Sequence, residues 1–327
     1  MAIYGIKGKF PMMSIIGHKE LITHLESINR DPTNTFLFCG PVSVGKRTVA
    51  FELSKSILCE TKKEECHCKS CKRFPSDHPD FLCVGRKDKI KVDDIEKILD
   101  FSMTTPFLSK NKIIIIDNAH NITWEAANRL LKILEEPPSF FSFFLISSEP
   151  QKILPTILSR CISFEFKSLT REDLTNILWK KLGFSLPEAK VLGWIGVDSS
   201  LDIFSDAGKY LKYRYMALEL INSIKNKKLI DLLDYVDKIE KEDLSIFSDL
   251  FLILLTDVLL IKKGIIKIVN SDVIDNIKKI SEKFNIKALI GIINSFSQLK
   301  KYSYLNINMN INLKNLFIKN FPLFIAE

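Results

Sequence analysis

Apolar positions fall into two textures along this chain, and the change comes near Lys167. Before it, short unbroken apolar runs alternate with longer stretches whose apolar residues recur every three or four positions. The runs cover residues 35–39, 81–85, 112–117, 143–147 and 162–166. Continuous runs of this length predict strands covered on both faces, as in a parallel sheet. The periodic stretches predict helices over 14–30, 49–58, 92–104 and 124–136. Ile95, Ile98, Leu99 and Met103 share one face of the third, and Pro137-Pro138 stop the fourth. Residues 75–79 read as an irregular link. Five apolar strands alternating with helices predict an α/β fold built on a parallel five-stranded sheet.

Beyond Lys167 the strand signals fade and helical patterns follow one another. Residues 168–206 predict a small helical unit, and 207–327 an all-α domain with Leu211, Tyr215, Leu218 and Ile221 to Ile224 on its core-facing stripe. The Asn-rich stretch 306–315 keeps enough Leu, Ile and Met for a final helix. A length of 327 residues exceeds one ordinary core, so two or three domains are expected. With 46% hydrophobic and 26% charged residues the composition is globular. The apolar run 250–255 is bracketed by Asp249 and Asp257 and is far short of a bilayer, so no membrane span is expected. Residues 1–11 carry two lysines and no apolar core of a signal peptide. Met12 and Met13 are alternative starts, and residues 1–13 are expected to be a disordered extension of a cytoplasmic protein. The net charge of +8 is compatible with nucleic-acid contact. Its lysines are scattered rather than striped, which counts against a free-standing nucleic-acid binder.

Chemistry concentrates in two places. After the first predicted strand comes Gly40-Pro41-Val42-Ser43-Val44-Gly45-Lys46-Arg47-Thr48, followed by a helical pattern. Strand, glycine-bounded loop with lysine, then helix is the layout of a phosphate-binding P-loop. Backbone N–H groups at Gly40 and Gly45 would face the anion, with Lys46 as a point charge. The pattern requires Ser or Thr directly after the lysine to hold Mg²⁺, and that position is Arg47, a cation that repels the metal. Thr48 lies one residue too late, turned by about 100° around the helix. Four isoleucines then run into Asp117, a second Mg²⁺-directed element, but Asn118 follows and an amide is no general base. Three readings stay open: a turn that binds nothing, a site that binds ATP or ADP without turnover, and a working ATPase.

The second place is a cysteine cluster. Seven cysteines without an export signal argue for metal ligation or burial over disulfides. Cys59, Cys66, Cys68 and Cys71 can surround one Zn²⁺ tetrahedrally, with Zn–S near ~2.3 Å. Four protein ligands would leave no open position, so the site would be structural. His67 competes with Cys66 for the fourth place, and a metal-free loop is the alternative.

Three further motifs carry a family resemblance. Ala126-Ala127-Asn128-Arg129-Leu130-Leu131-Lys132-Ile133-Leu134-Glu135-Glu136-Pro137-Pro138, then Ser147-Ser148-Glu149-Pro150-Gln151-Lys152, then Leu158-Ser159-Arg160-Cys161 resemble bacterial clamp-loader subunits. Order and spacing match over about 15–166. His78-Pro79-Asp80 and the degraded nucleotide site are similar to the delta-prime branch of DNA polymerase III, whereas the gamma/tau branch keeps an intact P-loop and an acidic pair after the isoleucine-rich strand. The resemblance implies a RecA-like AAA+ domain over 14–167 with a zinc module inserted at 59–71. A helical lid over 168–206 and a collar over 207–327 would follow. The collar would assemble a hetero-pentamer with gamma/tau and delta subunits, through which the sliding clamp and primer–template DNA are met. It further implies a stator that does not hydrolyse ATP and that lends Arg160 to a neighbour's ATP site as a finger acting in trans. Gly40, Gly45, Lys46, Thr48 and Asp117 would line its degenerate nucleotide site. Ser147 and Ser148 fall where the family has a polar sensor, and Ser199-Ser200-Leu201-Asp202 where the lid carries a sensor arginine. The family's zinc module has two residues between successive central cysteines, and here Cys66-His67-Cys68 is one residue tighter.

Overall fold

The computed structural model describes residues 15–28, 34–61, 66–85, 89–195, 207–303 and 308–325. Two compact units result, Met1–Leu169 and Thr170–Glu327.

The first unit is built on β1 (Thr35–Cys39), β2 (Phe81–Val84), β3 (Lys112–Ile116), β4 (Phe141–Ser147) and β5 (Ile162–Glu165). All pairings are parallel, in the order β2-β3-β4-β1-β5. The first strand therefore lies between the fourth and fifth, the AAA+ arrangement. Side chains alternate across the sheet with period two. Phe36, Phe38, Ile113, Ile115, Phe144 and Ile146 meet α1 (Lys19–Ile28) and α2 (Lys46–Leu58) on one face. Leu37, Ile114, Ile116, Phe143 and Leu145 meet α4 (Val92–Ser102) and α5 (Trp124–Glu135) on the other, and α3 (Lys69–Arg73) is the short helix between α2 and β2. Burial on both faces explains why β1, β3 and β4 read as continuous apolar runs, whereas β5, expected to be covered in the same way, is an exposed edge strand with Ile162 48% exposed. The register sets Cys39 beside Ser147 and Ile116 beside Leu145, so the ends of β1, β3 and β4 share one edge. In open α/β sheets this carboxyl edge is where ligands bind.

Several element boundaries differ from expectation, for local reasons. The first helix begins at Lys19 rather than at residue 14, because Gly17 (φ 93°) and His18 (φ 52°) adopt left-handed backbone that no α-helix accepts. The helix after the loop starts at Lys46, with Gly45 (φ 94°) as its N-cap. Helix α4 stops at Ser102, and Met103, expected on its core face, is 82% exposed. Buried Lys112 explains the departure, since its ammonium donates to the carbonyls of Phe101 (2.7 Å) and Thr104 (3.0 Å) and draws the chain off the helix. The expected extension over 1–13 lies outside the described residues, as does 199–202.

The second unit is helical: α7 (Arg171–Leu182), α8 (Leu186–Ile195), α9 (Ala207–Ser223), α10 (Leu229–Asp237), α11 (Leu244–Lys262), α12 (Ile274–Glu282), α13 (Ile286–Ser303) and α14 (Met309–Ile325). The Thr170/Asp173 capping box starts α7, and left-handed Gly183 ends it. Among the described residues, α11 alone is long and apolar enough to cross a membrane. Its Phe247, Phe251, Leu254, Leu255 and Val258 are instead the bundle's core, and the Phe251 ring meets those of Phe296, Phe317 and Phe324. The expected stripe on α9 holds at Ile221 and, just past the helix, at Ile224, but is corrected at Tyr215, which is 54% exposed; the buried face also carries Tyr213, Arg214, Ala217 and Leu220. Arg214 is accepted there because Asn270 (2.7 Å) and Asp272 receive its N–H groups, and Asn270 in turn donates to buried Asp257. A search for apolar periodicity passes over such a paired cation.

Candidate functional site

The P-loop takes shape where β1 ends. Gly40 (φ 137°) passes so close to the carbonyl of Phe166 that any Cβ would collide with it. Ser43 is also left-handed (φ 58°), and the Nε2–H of His18 donates to Val44 O at 2.9 Å, which ties the loop to the entry of α1. Lys46 is only 6% exposed, and its ammonium donates to the loop's own carbonyls, Gly40 O at 2.7 Å and Pro41 O. Burial lowers its pKa. Arg47 Nε lies 3.4 Å from Asp117 Oδ2, with its guanidinium 4.9 Å above the Phe51 ring. The other carboxylate oxygen accepts from Asn118 N–H at 3.1 Å. Burial holds the Asp117 carboxyl above the ordinary carboxylate value, and the Arg47 charge offsets only part of that rise. The cation that faces Asp117 is thus a side chain of the protein itself. Thr48, one position along α2, is exposed and takes no part in that pair.

One neighbour of this edge escaped the sequence reading. His120 Nδ1 is 3.1 Å from the buried Ser147 hydroxyl, which also accepts from Glu149 N–H at 3.1 Å. Burial lowers the His120 pKa. The histidine two residues after Asn118 was its only signal.

The cysteine cluster closes around the end of α2. Cys59 follows Leu58, while Cys68 caps α3 by accepting from Cys71 N–H at 3.4 Å. The sulfurs of Cys59, Cys66, Cys68 and Cys71 all lie within 4.8 Å of one another. Thiolates around one tetrahedral ion with ~2.3 Å bonds would stand about 3.8 Å apart, so the set fits such an ion after small adjustments. His67 is exposed and outside the group, so Cys66 supplies the fourth sulfur. A hydrogen bond with Thr61 (2.8 Å) brings the Cys66 thiol down to about 6, and burial raises that of Cys71. Four thiols suit a soft or borderline divalent cation.

The His78-Pro79-Asp80 motif fastens this module to the sheet. His78 Nδ1 accepts from Asp80 N–H (3.0 Å), so Nε2 carries the proton and donates to Ser70 Oγ (2.7 Å), which donates to Leu58 O (2.7 Å). The fully buried Asp80 carboxylate accepts from the N–H groups of Phe107 (2.6 Å), Leu108 (2.7 Å) and Ser109 (2.8 Å). Burial lowers the His78 pKa, which suits the neutral tautomer. The motif therefore has a structural job here.

Arg160 lies two residues beyond α6 (Pro155–Leu158), in the turn just before β5. Its side chain is about one-third exposed, with Nη1 donating to Thr156 O (2.8 Å) and Nη2 to Glu135 Oε1 (3.0 Å). Next to it, the Cys161 thiol is half-buried, donates to Ile157 O at 3.1 Å, and is pushed up to about 11 by burial. That thiol is packed rather than reactive.

Comparison with known proteins places this geometry in a family. Two family models match, "DNA polymerase III, delta subunit" over residues 17–170 and its C-terminal counterpart over 211–318, together more than half of the chain. DNA polymerase III subunit gamma of Buchnera aphidicola is 35% identical over 149 residues, 44% of this chain and 41% of that protein. Subunit tau of Escherichia coli is 33% identical over 171 residues, 50% of this chain and 26% of its own length. The chain thus spans less than half the length of these curated relatives. A solved structure of a DNA polymerase III gamma-subunit-related protein from Thermotoga maritima is 20% identical with a TM-score of 0.41, covering 93% of this chain and 99% of the other. With both family models matched in chain order and an AAA+ sheet beneath the first, the chain belongs to the clamp-loader subunit family of DNA polymerase III.

Proposed function

We propose that this chain is the delta-prime-like stator of a bacterial replicative clamp loader: a cytoplasmic subunit that does not hydrolyse ATP, and that delivers Arg160 to the ATP site of an adjacent subunit. The observation that carries the reading is the Arg47–Asp117 pair. In a working site Mg²⁺ would face that carboxylate. Here the guanidinium faces it, Lys46 is engaged by Gly40 and Pro41, and Asn118 offers no base. Gly40, Gly45, Lys46, Thr48 and Asp117 then form a remnant that keeps the fold of a nucleotide site without its chemistry. Arg160, on the surface beside α6, is the group left to act on nucleotide elsewhere.

In this reading Cys59, Cys66, Cys68 and Cys71 hold one structural Zn²⁺, α7 and α8 form a lid, and α9 to α14 form the collar. The collar joins this chain to gamma/tau and delta subunits, and the assembled pentamer brings it to the sliding clamp and primed DNA. A gamma/tau-like motor is the second reading, favoured by the names of the curated relatives at 30–35% identity. Native mass spectrometry of the chain mixed with gamma/tau and delta subunits separates the two. One copy of this chain per hetero-pentamer is the expected result, and its incorporation in several gamma/tau-like positions would overturn the stator reading.

A further inference from the structure

The two family motifs Leu134-Glu135-Glu136-Pro137-Pro138 and Ser159-Arg160-Cys161 are separated in sequence, yet their charged members meet. We infer that Glu135 is the positioning residue for Arg160, holding its guanidinium in the attitude from which it reaches a neighbour's phosphoryl group. The inference rests on the finger reading above and goes one residue beyond it.

Arginine has a long side chain of high rotamer entropy, and its planar fork recognises anions only when correctly aimed. Two anchors aim this one. Thr156 O takes Nη1 at 2.8 Å from the backbone of α6, and Glu135 Oε1 takes Nη2 at 3.0 Å from the end of α5. Both anchors are themselves fixed. Helix α5 buries Ala126, Ala127, Leu130, Ile133 and Leu134 against the sheet, and Pro137-Pro138 end the helix just beyond Glu135. Helix α6 is pinned by buried Ile157. A guanidinium has five N–H donors, and these two contacts engage only two. Three N–H groups are left over, on a side chain that is about one-third exposed.

An exposed ion pair of this kind adds little to folding. Its loss should therefore show in catalysis and leave stability alone, which distinguishes positioning from support of the fold. The test uses the reconstituted loader and reads DNA-stimulated ATP hydrolysis at the affected site, resolved by single turnover with limiting ATP. Glu135→Ala should lower kcat at that site about tenfold, on the scale of misplacement by a fraction of an ångström to one ångström, with KM for ATP unchanged. Glu135→Gln retains an acceptor oxygen and should recover most of the rate. On an Arg160→Ala background, Glu135→Ala should cost nothing more. Wild-type kcat for Glu135→Ala beside a defective Arg160→Ala overturns this inference alone, as does an additive loss in the double variant. Wild-type rates for Arg160→Ala overturn the finger reading and this inference with it.

Discussion

Arg160→Ala, assembled with wild-type partner subunits, is expected to abolish most ATP hydrolysis at the one site it faces while leaving assembly intact. An arginine acting in trans neutralises charge on the transferring γ-phosphoryl, an effect worth roughly 10³ to 10⁵ in rate where it has been measured in GTPases. Turnover by the whole loader should fall less, because in the stator reading its other ATP sites are served by other subunits. Single-turnover hydrolysis with limiting ATP resolves the affected site, and clamp loading on primed DNA reports its consequence. Folding should change little, because the side chain's hydrogen bonds go to Thr156 O and to Glu135 in a partly exposed ion pair. Arg160→Lys should be almost as defective, since an ammonium lacks the planar fork. A single-turnover rate equal to wild type would remove Arg160 from the mechanism.

Cys68→Ser should have the largest structural effect. Serine is a good N-cap, so the substitution preserves the cap of α3 while removing one thiolate from the set of four. Bound metal, measured by native mass spectrometry or inductively coupled plasma analysis, should fall from one ion per chain to none. Metal can supply roughly 10–16 kcal/mol in an isolated zinc-finger peptide. Here the loss should stay local, because the sheet core around Phe36, Ile113 and Phe144 has its own packing. Hydrogen exchange should quicken over residues 66–74 and at the Ser70–His78 link, while β1 and β3 stay protected. A stoichiometric metal retained by Cys68→Ser would show that the four sulfurs do not form the site.

The sheet was legible because its central strands are buried on both faces: the isoleucines of 113–116 have no polar alternation to confuse with a helix. The P-loop was legible through Gly40, Gly45 and Lys46, and the cysteine cluster through its spacing. What lay hidden were polar contacts between distant residues. Nothing local in Arg47 announces that Asp117, seventy positions on, will be its partner. Lys112 reads as the polar edge of a strand, yet it is buried and unravels the end of α4, which puts Met103 into solvent. Arg214 similarly takes a core position from which apolar periodicity excludes it, because Asn270 and Asp272 arrive from more than fifty residues away. The pairing of Glu135 with Arg160 belongs to the same class. Long-range ion pairs obey no sequence period, so their geometry is needed to find them.

With Arg47 facing Asp117 and Lys46 engaged by its own loop, Mg·ATP added to the isolated protein should meet a site that cannot use it. No saturable binding and no turnover are expected at millimolar nucleotide, with Lys46→Ala indistinguishable from wild type. Hydrolysis by the isolated chain that Lys46→Ala abolishes would contradict this, and would make the protein a motor rather than a stator.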